Sequence, residues 1–81
     1  MKISAIKKAV ESYSIEELKA AEDALMEEQQ PAIEILGEDE GEQLTHILAA
    51  IWVKDHLNSN PDSSIKQAIR EYSVKVRKSI S

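Results

Sequence analysis

Between Ile47 and Val53 the chain reads Ile-Leu-Ala-Ala-Ile-Trp-Val, seven apolar residues in an 81-residue sequence, and no other stretch limits the fold so tightly. Seven residues fall far short of the roughly 20 that span a bilayer. Leu44 before the run and Leu57 after it sit at helical intervals, so the pattern predicts a helix over about 40–57, starting near Asp39-Glu40. Within 47–53 the apolar side chains cover the whole circumference, and a helix apolar all round is buried all round. One chain of this length has material for a single core, so 1–81 is read as one domain. Burial on every side is hard to achieve inside so small a chain. The helix is therefore expected to be both the central core element and a subunit contact, through Ile51 and Trp52, in a homo-oligomer, with a dimer as the simplest case.

The remaining elements follow from spacing and capping chemistry. Ile3, Ile6, Val10 and Tyr13 recur at intervals of 3, 4 and 3 and predict a helix over about 2–12. Ser14-Ile15-Glu16-Glu17 is a capping box, in which hydroxyl and carboxylate satisfy amide donors reciprocally, and Tyr13 and Leu18 occupy the positions of a hydrophobic staple. The helix they open should run from about 15 to 29, closed by Pro31, because the residue before a proline is pushed out of the helical region. Residues 31–36 alternate in part like a strand. A lone strand has no partner in a helical chain, so this segment is read as an extended connector rather than one paired with its copy in a dimer. Asn58 to Asp62 is a turn by composition, with Pro61 suited to a first helical position, and Ser64-Ile65-Lys66-Gln67 offers another capping box. Ile65, Ala68, Ile69, Tyr72, Val76 and Ile80 then form the apolar stripe of a last helix, with Lys66, Arg70 and Arg77 as a basic ridge beside it. The expected fold is all-α: a small antiparallel bundle of about four helices with a short extended connector at about 31–36.

Charge is segregated along the chain. Residues 11–42 hold twelve of the fifteen acids against Lys19 alone, whereas residues 1–10 carry +3 and residues 63–81 carry +4. Such polarity can fold the basic ends onto the acidic middle or complement a second copy, although most charge runs are solvated helix faces. The absence of cysteine excludes disulfides and thiolate chemistry and fits a reducing compartment. Lys2, Lys7 and Lys8 are followed by no apolar h-region, which argues against a cleaved signal peptide, so the expected location is cytoplasmic.

Few residues can be placed in a reaction. The nine serines include no Gly-x-Ser-x-Gly elbow, and the Ser-x-x-Lys spacings of Ser4 with Lys7 and Ser63 with Lys66 lack the companion motifs of that catalytic class. His46 and His56 lie ten residues apart on one helix, about 15 Å along its axis, too far to share a metal. Glu42 and His46 share a face, and Asp39 or Glu38 could add an oxygen from the preceding loop, so the metal alternative is Asp39, Glu42 and His46. Neither register of Gly37 or Gly41 supplies the acids of an EF-hand calcium loop. The basic ridge raises nucleic acid, but the net charge of −5 and the lack of stacking aromatics oppose it. No cofactor is expected, and neither nucleic acid nor membrane is an expected partner.

The run Gly37-Glu38-Asp39-Glu40-Gly41-Glu42-Gln43-Leu44-Thr45-His46, followed by Ile47 to Trp52, resembles the central segment of an uncharacterised family of short, acidic, helical bacterial proteins. The similarity extends over nearly the whole chain, including Val76-Arg77-Lys78-Ser79-Ile80. The resemblance implies no established activity and carries over no catalytic residue. It implies an accessory role near thiol redox proteins, which a chain without cysteine could fill only by binding. Taken together, the sequence points to a small non-enzymatic protein-interaction module that self-associates through the helix at about 40–57 and offers Glu38, Asp39, Glu40 and Glu42 to a protein partner. The alternative is a metal-binding protein or metal-dependent enzyme using Glu42 and His46. Asp39 and Glu42 also read as a capping box, with the surrounding acids favouring the positive helix end.

Overall fold

A computed structural model describes residues 2–80, with side chains through Val76. Four helices form: α1 (Ile3–Ser12), α2 (Ile15–Met26), α3 (Glu40–Ser59) and α4 (Ile65–Ile80). No strand occurs among the described residues, and 31–37 is a connector. The all-α bundle expected from periodicity is the fold observed.

α3 is the hub, because α1, α2 and α4 each pack against it. Ile47, Ala49, Ala50 and Val53 are fully buried there, and Ile6, Leu18, Leu25 and Ile69 from the other three helices close the core around them. Trp52 reaches Tyr72, and His56 reaches Glu71, so α3 and α4 run antiparallel. The alanines at 49 and 50 let neighbouring helices approach closely, while Ile47 and Val53 are the larger apolar side chains that α3 buries completely in the core.

Each helix start solves the problem of unpaired amides differently. At α2 the capping box is complete: the Ser14 hydroxyl accepts from the Glu17 amide at 3.1 Å and the Glu17 carboxylate accepts from the Ser14 amide at 3.0 Å. At α4 the Ser64 hydroxyl accepts from the Gln67 amide at 3.1 Å. Pro61 belongs to the preceding turn, closed by the Ser63 amide on the Asn60 carbonyl, and not to the helix. The C-terminus of α1 is capped from outside, by the Lys54 ammonium of α3 donating to the Val10 carbonyl at 3.0 Å. A cation at that position complements both the orphan carbonyl and the negative end of the helix.

α2 ends at Met26, before Pro31 is reached. Glu28 takes a left-handed φ of 58°, its amide bonds to the Leu25 carbonyl, and the Gln29 amide bonds to the Ala24 carbonyl. These two bonds make a Schellman stop, normally built on glycine, here built on a glutamate. Gly37 ends the connector with φ +151°, and a Cβ there would lie 2.8 Å from Gln43 Cγ and 2.9 Å from the Gln43 amide nitrogen. The chain crosses the start of α3 at a distance only glycine permits. Glu28→Gly should raise stability by about 0.5–1 kcal/mol by relieving the left-handed glutamate. Gly37→Ala should lower it by about 1–3 kcal/mol, because both φ and space oppose the methyl group. Urea unfolding of the two variants checks the pair, and the opposite signs make the comparison decisive.

Candidate functional site

The acidic segment caps α3. The Asp39 carboxylate accepts from the Glu42 amide at 2.8 Å, which confirms half of the expected capping box. The reciprocal bond from Glu42 is not made, and Glu42 Oε1 is instead buried with no hydrogen-bond partner. Glu38, Asp39 and Glu40 are exposed on the turn. Gly41 is exposed in the first helical turn, where a Cβ would meet only ordinary contact with the Asp39 side chain.

His46 lies one turn beyond Glu42 and is 1 % exposed. Its Nδ1 is 2.7 Å from the Leu36 carbonyl oxygen, and its Nε2 is 2.9 Å from the Lys2 amide nitrogen. A carbonyl can only accept and an amide can only donate, so Nδ1 carries the proton and Nε2 is the acceptor. One imidazole thus ties the entrance of α1 to the end of the connector. Tyr13 adds a second tie, its hydroxyl donating to the Glu34 carbonyl at 3.1 Å. The Gln43 side-chain amide adds a third, to the Gly37 carbonyl at 3.3 Å.

This arrangement uses both ring nitrogens of His46, and a metal would have to displace one of its bonds. Asp39 Oδ1 is likewise engaged by the helix it caps. Among the described residues no group of three His, Asp or Glu side chains is placed to hold a metal. Among the described residues the set Asp39, Glu42 and His46 is not brought together as ligands: the helix start engages Asp39, Lys2 and the connector engage both nitrogens of His46, and Glu42 Oε1 is left without a partner.

Ile51 and Trp52 are half-buried and pack against the core. Most of the apolar circumference of α3 is covered within one chain, although burial on every side is expected to be hard to achieve there. One side of α3 stays open, where Gly41, Thr45, Leu48 and Asp55 are exposed. Leu48 lies there, 44 % exposed, flanked by the half-buried Leu44, Ile51 and Trp52.

Between α3 and α4 the structure brings together residues that sequence reading had kept apart. The His56 ring stacks on Trp52 with centroids 4.9 Å apart, His56 Nε2 lies 2.7 Å from Glu71 Oε2, and Lys75 Nζ sits 5.5 Å above the Trp52 ring. Burial raises the Tyr72 hydroxyl above its ordinary range. Residues 56 and 71 sit on different helices, and no spacing rule within one helix would have paired them. Lys66 and Arg70 are exposed on α4, whereas the Arg77 side chain of the expected basic ridge lies outside the described residues.

The molecule is a small all-α bundle whose polar side chains chiefly tie its own segments together. Over residues 1–81 the chain matches the family of unknown function DUF6952 and belongs to it, in keeping with the resemblance read from residues 37–52. No curated protein and no solved structure matches it. No helix among the described residues is long and apolar enough to cross a membrane.

His46→Ala removes two hydrogen bonds, orphans a buried carbonyl and leaves a cavity, and should cost about 2–4 kcal/mol in urea unfolding. Nitrogen-15 spectra of the imidazole in the native protein should show the tautomer with the proton on Nδ1. The opposite tautomer would contradict the tie to Leu36.

Proposed function

We propose that this protein is a non-catalytic interaction module that self-associates through the open side of α3 and presents the acidic turn at 38–42 to a protein partner. The observation that carries this reading is Leu48, a large aliphatic side chain 44 % exposed in the middle of the helix that otherwise forms the core. Leu44, Ile51 and Trp52 beside it extend an apolar strip along the same side. A core of this size contributes only about 3–5 kcal/mol, so covering that strip would add appreciably to stability.

A second copy suits the strip because charge is segregated along the chain, acidic in the middle and basic towards both ends. Among the described residues the ion pair within 4 Å is His56–Glu71, and the acids of α2 and of the 38–42 turn have no cationic partner. A copy related by symmetry can bring opposite charges together around an apolar centre, which favours encounter and fixes register. A role beside thiol redox proteins in a reducing compartment would run through the acidic turn, since the chain brings no thiol of its own.

Light scattering across a wide concentration range tests the self-association. The wild type should scatter as twice the chain mass of 9.1 kDa, and Leu48→Glu should scatter as the single chain with its helical circular dichroism unchanged. A wild type that stays monomeric at high concentration would sink this part of the proposal. Trp52→Glu is the less informative variant, because Trp52 also packs against Tyr72 and His56.

A further inference from the structure

The end of α2, the connector and the start of α3 line an open cleft of about 490 Å³ to which Leu48 does not contribute. Its floor is apolar: Leu25 is buried, and Ile33 and Ile35 are half-buried against the core. Its rim carries Glu28, Glu34 and Glu40, all exposed. Between Lys19 and Lys54 the chain has nine acids and no lysine or arginine, and no cation lines this cleft, although Lys8 of α1 lines an adjoining hollow together with Glu34 and Ile35.

The backbone along one wall is left available for pairing as well. Among the described residues, 30–36 makes no backbone–backbone hydrogen bond. The Glu34 and Leu36 carbonyls are taken from one side by Tyr13 and His46. In an extended segment successive carbonyls point to opposite edges, so the amide and carbonyl of Ile35 face away from those ties. Buried or half-buried peptide groups without partners are costly, and an incoming backbone could satisfy them.

We infer that this cleft is a docking groove for an extended peptide segment that carries lysine or arginine beside an aliphatic residue. Charge complementarity selects that occupant. The aliphatic side chain fits the floor of Leu25, Ile33 and Ile35, the cation meets Glu28, Glu34 and Glu40, and the peptide backbone meets that of Ile35. The connector of a second copy is the wrong partner, because it would bring Glu34 and the acids at 38–40 against the same acids. The inference rests on the reading of the protein as an interaction module, but it uses a different surface from the α3 strip and can fail independently of it.

The test is nitrogen-15 NMR titration of the full chain, made in the Leu48→Glu background, with a short peptide alternating lysine and leucine and a control alternating glutamate and leucine. The basic peptide should shift amides within 28–36 and 40–43, and the acidic peptide should leave them in place. Glu28→Gln, Glu34→Gln and Glu40→Gln combined should weaken binding by about tenfold, since three partly exposed charge pairs are lost, while circular dichroism stays helical. Raising the salt from 0.15 M to about 1 M should weaken the wild-type interaction similarly, as screening shortens to about 3 Å. Absence of binding, shifts centred elsewhere, equal binding of the acidic peptide, or an unchanged affinity in the triple variant would each overturn the groove. Light scattering of the wild type reads the α3 interface separately.

Discussion

The burial of α3 sets everything else in this molecule. A 20-residue helix whose middle is apolar on nearly every face must be surrounded, and α1, α2 and α4 are arranged to do so. Ile47, Ala49, Ala50 and Val53 are fully sequestered as a result. Two features go with this hub. The connector between α2 and α3 is held against the bundle by side chains of other segments, and the three surrounding helices leave one side open, where Leu48 is exposed.

The polar residues that looked most chemical in the sequence are the ones that solve the connector problem. The connector has no sheet partner for its carbonyls, and Tyr13, Gln43 and His46 supply donors to those of Glu34, Gly37 and Leu36. His46 also accepts from Lys2, which places both ends of the chain's first half under one buried ring. The fixed tautomer is a requirement of its two partners, one able only to accept and the other only to donate. An imidazole between an amide and a carbonyl is a tie, and the same ring cannot at once offer a lone pair to a metal.

The acids divide into those the fold uses and those it leaves. Glu17 and Asp39 satisfy helix amides, and Glu71 holds His56. Glu28, Glu34, Glu38 and Glu40 stand on the surface around the connector, outside the described ion pair, with Lys8 of α1 in a hollow beside Glu34. Charge left unmatched on one flank, beside an apolar cleft and an unpaired stretch of backbone, is the kind of surface that distinguishes among partners by electrostatic sign.

The sequence by itself determined the local structure. Four helices, the complete Ser14–Glu17 box, the Asp39 and Ser64 caps and the absence of a strand were all legible, because each depends on residues within one turn of one another. It misplaced the end of α2 by extending it to about residue 29, since the stop depends on a left-handed glutamate that no residue preference announces. It also overstated the need for a partner to cover α3, because circumferential apolarity says that a helix is buried and not by what. The tie between Lys2 and Leu36 through His46, the pairing of His56 with Glu71, and the crossing at Gly37 were decided only by the tertiary structure. Each joins segments that periodicity treats as independent, and their distance in space is set by how the helices pack around α3.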